Sequence, residues 1–123
     1  MAKILVVDDE LSIRMGIREF AEYQGYEVEE AANGKDAVER CRQKDFDIII
    51  MDIMMPVMDG ITATKKIRSL ERLDAKAIPI IAMTANAFEE DAKKCVEAGM
   101  NAHLSKPLQM EQVVETIREC CEK

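Results

Sequence analysis

A chain of 123 residues, 48% of them apolar and 33% charged, has the size and balance of one globular domain with room for a single core. Its formal charge of −7 argues against direct nucleic-acid binding, which draws on Lys and Arg to neutralise phosphates. Its apolar runs are far shorter than a membrane span and no basic-then-apolar leader opens it, so membrane insertion is not expected and a cytoplasmic location is.

The first strand is expected at Lys3–Val7, and it runs straight into Asp8-Asp9-Glu10. A helical pattern follows, interrupted only by Gly16 and stopping near Gly25. On that helix Ile17, Phe20 and Ala21 share the side read as facing a sheet, with Ile13 at its edge. Leu11 and Met15 point nearly opposite, beside Arg18 and Glu22. They are expected to pack on the last helix, the alternative being exposure for docking a partner. The second strand, Tyr26–Ala32, runs out in Asn33 without a charge. The third, Phe46–Met51, delivers Asp52 and is followed by more apolar residues, a proline and an Asp59-Gly60 turn. The fourth, Ile78–Met83, carries Pro79 at its start, where a missing N–H is tolerated, and delivers Thr84. A helix near Asn86 opens with Asn-Ala-Phe-Glu, a capping-box-like start, and closes at Gly99. The fifth strand, Ala102–Ser105, leads into Lys106-Pro107. In the last helix Met110, Val113, Val114, Ile117, Cys120 and Cys121 form an amphipathic stripe. Cys41, Cys95, Cys120 and Cys121 make no C-x-x-C pair, and His103 is the lone histidine, so reduced core thiols are expected rather than a zinc site.

Three of the five strands lack in-out alternation, as strands covered on both faces do. Five β-α units therefore imply an α/β fold: a doubly wound, five-stranded parallel sheet, for which the flavodoxin-like order 2-1-3-4-5 is the common one. That order makes strands 1 and 3 neighbours and brings Asp8, Asp9 and Asp52 to one carboxyl edge, with Thr84 and Lys106 arriving from the other side. Carboxylates crowded this way need cations to stay ionised, and Lys106 supplies one charge. A hard divalent ion, Mg²⁺, suits the remainder. A carboxylate held there, with a lysine and a hydroxyl to bind oxyanion oxygens, is equipped to attack phosphorus and form an acyl phosphate. Each residue has a plainer reading. Asp8 and Asp9 suit helix capping, Asp52 suits loop amides, and Thr84 and Lys106 suit an ordinary strand end. Their coincidence at four strand ends favours the site.

At these residues the sequence resembles the receiver domain of two-component response regulators, through "ILVVDDE", "IIIMDIMMPVMDG", "IPIIAMTANA" and "HLSKP" in order over essentially its full length. The resemblance implies that Asp52 is the phosphoacceptor, fed by a phosphohistidine on a sensor histidine kinase or a histidine phosphotransfer protein. It implies that Asp9 and the Met54 backbone carbonyl join Asp52 on Mg²⁺, with Asp8 acting mainly through water. Thr84 and Lys106 would hold the phosphoryl oxygens, and the Lys106–Pro107 bond would be cis. Met54 and Asn86 fall where the family tunes phosphoryl lifetime. Neither offers a base to activate water, so slow-to-moderate self-dephosphorylation is expected. His103 stands where the family usually has the Tyr or Phe that moves with the threonine. A histidine is smaller and titrates near neutrality, which weakens an aromatic switch, unless it is an edge-strand residue without a role. Partner contact is implied near Ile13 and Gly16. The stretch "MTANAFEEDAKKCVEAGMNAHLSKP" resembles receivers inside hybrid sensor kinases. The expectation is one receiver over 1–123 without an effector domain, a monomer or a weak phosphorylation-dependent dimer. It would not be an enzyme, although it would catalyse its own phosphorylation and dephosphorylation, and it would signal through the face of the fourth helix, fifth strand and fifth helix. An aspartyl-phosphate phosphatase is the competing reading, but such enzymes carry a second acid where this chain has Met54. A flavin-binding domain is disfavoured by the acidic pocket and by an aromatic content of 4%.

Overall fold

Runs of buried Ile, Val and Met set the frame of the molecule. In the computed structural model, which describes residues 2–55, 57–70, 77–84 and 89–121, β1 (Lys3–Val7), β3 (Ile48–Asp52) and β4 (Ile80–Thr84) are buried almost throughout. Strands hidden on both faces belong in a parallel sheet clad by helices. β2 (Glu27–Ala31) and β5 (Ala102–Ser105) form the edges, and the order is β2-β1-β3-β4-β5 with every pair parallel. The expected fold class is borne out.

Successive side chains on each strand serve opposite faces. Ile4, Val6, Ile48, Ile50, Ile81 and Met83 pack against Ile17 and Ala21 of α1 (Leu11–Tyr23) and Val113 and Ile117 of α5 (Met110–Cys121). Leu5, Val7, Ile49, Met51 and Ala82 pack against α2 (Gly34–Gln43), α3 (Gly60–Arg68) and Cys95 of α4 (Glu89–Ala98). Gly25, two residues past α1, and Gly99, directly after α4, both have positive φ, the conformation that closes a helix and that glycine adopts without steric cost.

Several expectations need correction. The second, third and fourth strands begin one or two residues later than the apolar runs do. Pro79 shows why: it has no N–H for the ladder and serves only as an acceptor, its carbonyl taking the Ile49 N–H at 2.9 Å. Asp52 and Thr84, expected just past their strands, are the last ladder residues. Phe20 does not face the sheet. It is 46% exposed and lines a cleft between α1 and α5 with Val114 and Arg118. Leu11 and Met15 are exposed rather than packed on α5. The contact with α5 is made on the other flank, where a Cβ on Gly16 would lie 3.5 Å from Met110 Cε. Cys41 and Cys95 are buried thiols, whereas Cys120 is half-buried. The side chains of Cys121 and Glu89, and residues 86–88 of the expected cap, lie outside what the structure describes.

Candidate phosphoacceptor site

Pairing of β1 with β3, Val7 opposite Met51, brings the residues that follow them abreast. Asp8, fully buried, and Asp52, 4% exposed, then share one cation. Lys106 Nζ donates to Asp8 Oδ2 at 2.9 Å and to Asp52 Oδ2 at 3.1 Å. The second oxygens are bound locally: Asp8 Oδ1 accepts from the Glu10 N–H at 2.9 Å, and Asp52 Oδ1 from the Met54 N–H at 3.1 Å. The loop-amide reading of Asp52 therefore holds alongside the shared lysine, whereas the capping reading does not: Glu10 is the N-cap of α1 and no side chain caps that helix. Lys106 is delivered from β5 by a backbone bond, its N–H donating to the Thr84 carbonyl at 2.8 Å, and the Lys106–Pro107 peptide is cis. Thr84 itself is buried, and its Oγ1 has no hydrogen-bond partner among the described residues.

In the sequence, two contributors carried no mark of a role in the site. Gly60, read as half of a turn, is pressed against the acceptor strand. A Cβ there would sit 2.2 Å from the Asp52 carbonyl oxygen, and its N–H donates to the Ile53 carbonyl. Asp59 caps α3 by accepting the Thr62 N–H at 2.7 Å, so the turn doubles as a helix start. The Asp-Gly pair signalled the turn, but the close approach is visible only in three dimensions. Arg14, unmarked in the pattern of α1, donates from Nη1 to the Asp8 carbonyl at 2.6 Å.

Burial pushes the Asp52 carboxyl above its ordinary range, against the Met54 amide and Lys106, while the charge of Asp8 adds to the rise. Burial would also lower Lys106, but its hydrogen bonds to Asp8 and Asp52 outweigh that and hold the ammonium above its usual value. Asp9 is exposed and has no hydrogen bond or ion pair among the described residues. Asp8, Asp9 and Asp52 each offer a carboxylate oxygen within 4.8 Å of the other two. Three carboxylates facing one ammonium leave a negative excess on an all-oxygen donor set, which fits a hard divalent cation such as Mg²⁺.

The remaining candidates are scattered around this core. The Met54 side chain is 72% exposed at the rim. His103 is exposed on β5, opposite Ala82 in the ladder, and lines a cleft with Cys95, Val96 and Met100. Ile13 is half-buried and lines a cleft of about 240 Å³ with Lys106, Pro107 and Leu108, whereas Leu11 and Met15 stand exposed. Asn86 lies outside the described residues.

The response regulator receiver domain family matches residues 4–118. This chain belongs to that family. Chemotaxis protein CheY of Halobacterium salinarum is 41% identical over 120 residues, covering 97% of each chain. Hybrid signal transduction histidine kinase L of Dictyostelium discoideum is 37% identical over 124 residues, covering 97% of this chain and 7% of the kinase. Among solved structures, the receiver domain of sensor histidine kinase PA1611 from Pseudomonas aeruginosa superposes with a TM-score of 0.90 at 34% identity, covering 99% of this chain and 98% of that one. It holds a magnesium ion coordinated in its active site cleft. The chain spans less than half the length of the kinase and transcriptional-regulator relatives it matches. It is a receiver domain of two-component signal transduction, and none of its described helices is long and apolar enough to cross a membrane.

Proposed function

We propose that this receiver is a cytoplasmic phosphoacceptor switch, taking a phosphoryl group onto Asp52 from a phosphohistidine of a sensor histidine kinase or histidine phosphotransfer protein. The observation that carries the reading is the ammonium of Lys106 shared between Asp8 and Asp52, with the buried Thr84 hydroxyl unpartnered among the described residues. In the transfer an Asp52 oxygen forms the O–P bond as the P–N bond breaks. The electron pair of the broken bond stays with the imidazole, which leaves neutral because its other nitrogen carries a proton. Lys106 and Thr84 Oγ1 donate to the phosphoryl oxygens, so positioning and charge neutralisation do most of the catalysis. Mg²⁺, held by Asp8, Asp9, Asp52 and the Met54 carbonyl, would neutralise charge on those oxygens.

Hydrolysis of the acyl phosphate is slow to moderate on this reading, because neither Met54 nor Asn86 is a base. The exposed Leu11 and Met15, with Ile13 and Gly16, offer the partner a docking surface next to the pocket. Phosphorylation then shifts Thr84 and His103 and, with them, the α4-β5-α5 face. The phosphatase reading fares worse: the position that would carry its second acid is the apolar, exposed Met54.

The test is labelling by a small acyl-phosphate donor with Mg²⁺, in the wild type and in Asp52→Asn. Labelling of the wild type alone is expected, and equal labelling of both proteins overturns the assignment.

A further inference from the structure

Asp8 has no exposed surface, so its placement is decided by its own bonds. All four of its polar atoms are engaged. Its N–H donates to the Ala31 carbonyl of β2 at 3.2 Å, Oδ1 accepts the Glu10 N–H, Oδ2 accepts Lys106, and the carbonyl accepts Arg14 Nη1. Three of these partners are backbone groups or the pocket's own lysine. The fourth is a side chain reaching back from the first turns of α1.

We propose that Arg14 is a positioning residue for the metal pocket, acting through the Asp8–Asp9 peptide. This rests on the reading of Asp8, Asp9 and Asp52 as Mg²⁺ ligands. The carbonyl that Arg14 holds belongs to the rigid plane joining Asp8 to Asp9. Fixing that plane fixes the direction from which Asp9 enters the pocket, and Asp9 has no other hydrogen bond among the described residues to do so. Arg14 is itself anchored. Its Nε donates to Glu30 Oε1 at 3.0 Å, and the other Glu30 oxygen accepts Arg18 Nη1 at 2.7 Å. The planar guanidinium thus spans a β2 carboxylate and the carbonyl of Asp8 just past β1, a bridge that a lysine reaches at one end only. Groups that orient metal ligands from outside typically contribute about ten- to a hundredfold in metal affinity. Arg14 acts through the backbone, which places it near the lower figure.

Arg18 supplies the control. It sits on the same helix and pairs with the same Glu30, yet among the described residues it makes no hydrogen bond to Asp8. Mg²⁺ affinity is measured by titration calorimetry in the wild type, Arg14→Ala, Arg14→Lys, Arg18→Ala and Asp9→Ala, at a temperature where circular dichroism shows each folded. The expected result is about tenfold weaker binding in Arg14→Ala and partial recovery in Arg14→Lys, with Arg18→Ala within about twofold of wild type. Wild-type affinity in Arg14→Ala, while Asp9→Ala loses binding, overturns the inference and leaves the pocket intact. An equal loss in Arg18→Ala also overturns it, because the effect is then one of general loosening. A wild type that binds no Mg²⁺ removes the pocket reading and the inference together. A metal-free readout accompanies these: the Asp9 amide resonance is expected to broaden in Arg14→Ala and not in Arg18→Ala. An unchanged Asp9 signal counts against the proposal even where affinities differ.

Discussion

Thr84 shows most directly how a single residue ties stability to function. A buried hydroxyl without a hydrogen-bond partner costs about 1–3 kcal/mol, and such groups are uncommon. Thr84 Oγ1 is one among the described residues, at the end of a strand whose other side chains are apolar. Replacing it with the similarly shaped Val removes the unsatisfied group and keeps the packing. Thr84→Val is therefore expected to raise the unfolding free energy by about 1 kcal/mol, measured by denaturant titration without metal or phosphate donor. The same change removes a donor to the phosphoryl oxygens and is expected to slow acyl-phosphate labelling on the order of a hundredfold. A variant that is less stable and labels normally would contradict both halves. Asp8, Asp52 and Thr84 were legible in the sequence because each interrupts or ends an apolar run, where a polar residue needs an explanation, and Lys106 because it follows the last strand at the same edge. Gly60 and Arg14 were not, since a backbone packed too close to Asp52 to admit a Cβ and a bond from a helix back to the residue after a strand carry no local signature.

Among the elements, β2 is the edge strand whose charges lock helices to both faces of the sheet. Its neighbouring acids point opposite ways: Glu29 meets Lys3, Arg40 and Lys44, and Glu30 meets Arg14 and Arg18. Burial alone would raise both carboxyls. The hydrogen bonds of Lys44 and Lys3 on Glu29, and of Arg18 and Arg14 on Glu30, overcome it and hold both below the ordinary value. An unfolded Glu titrates near about 4.3, so this stabilisation is complete above that pH and is lost as pH falls through the lower folded values. Changing both residues to Gln is expected to cost about 1 kcal/mol at neutral pH and to flatten the stability profile below about pH 4.5. Urea unfolding across that range checks it, and parallel profiles for variant and wild type would refute it. The alternation of β2 was hard to read, because "EVEEA" pairs two acids where a strand face is expected to repeat. Phe20 failed for a related reason: a 3.6-residue period defines an arc on α1 but not which neighbour, sheet or α5, covers its edge.

For the whole molecule, the strand order was legible only as a preference. Apolar runs alternating with helical patterns point to five parallel β-α units, but no residue announces that β1 lies beside β3; that came from the habit of such chains. The site depends on this order, because its carboxylates come from just past β1 and from the end of β3, and its lysine from just past β5. An unfolded chain scatters them, so a cation that binds all three acids binds the folded state alone and stabilises the entire domain by mass action. At a hundredfold excess over Kd the gain is about 2.7 kcal/mol, which for a domain of this size corresponds to roughly 10 °C in the unfolding midpoint. Mg²⁺ is therefore expected to raise Tm progressively with concentration, and a chelator to reverse it. Asp9→Ala is expected to behave oppositely in the two conditions. Without metal it loses one of three crowded like charges and unfolds no earlier than wild type. With metal it gains little, because the ligand not otherwise bonded to the fold is gone. A Tm that rises equally with Mg²⁺ in wild type and Asp9→Ala would place the ion elsewhere on this acidic surface.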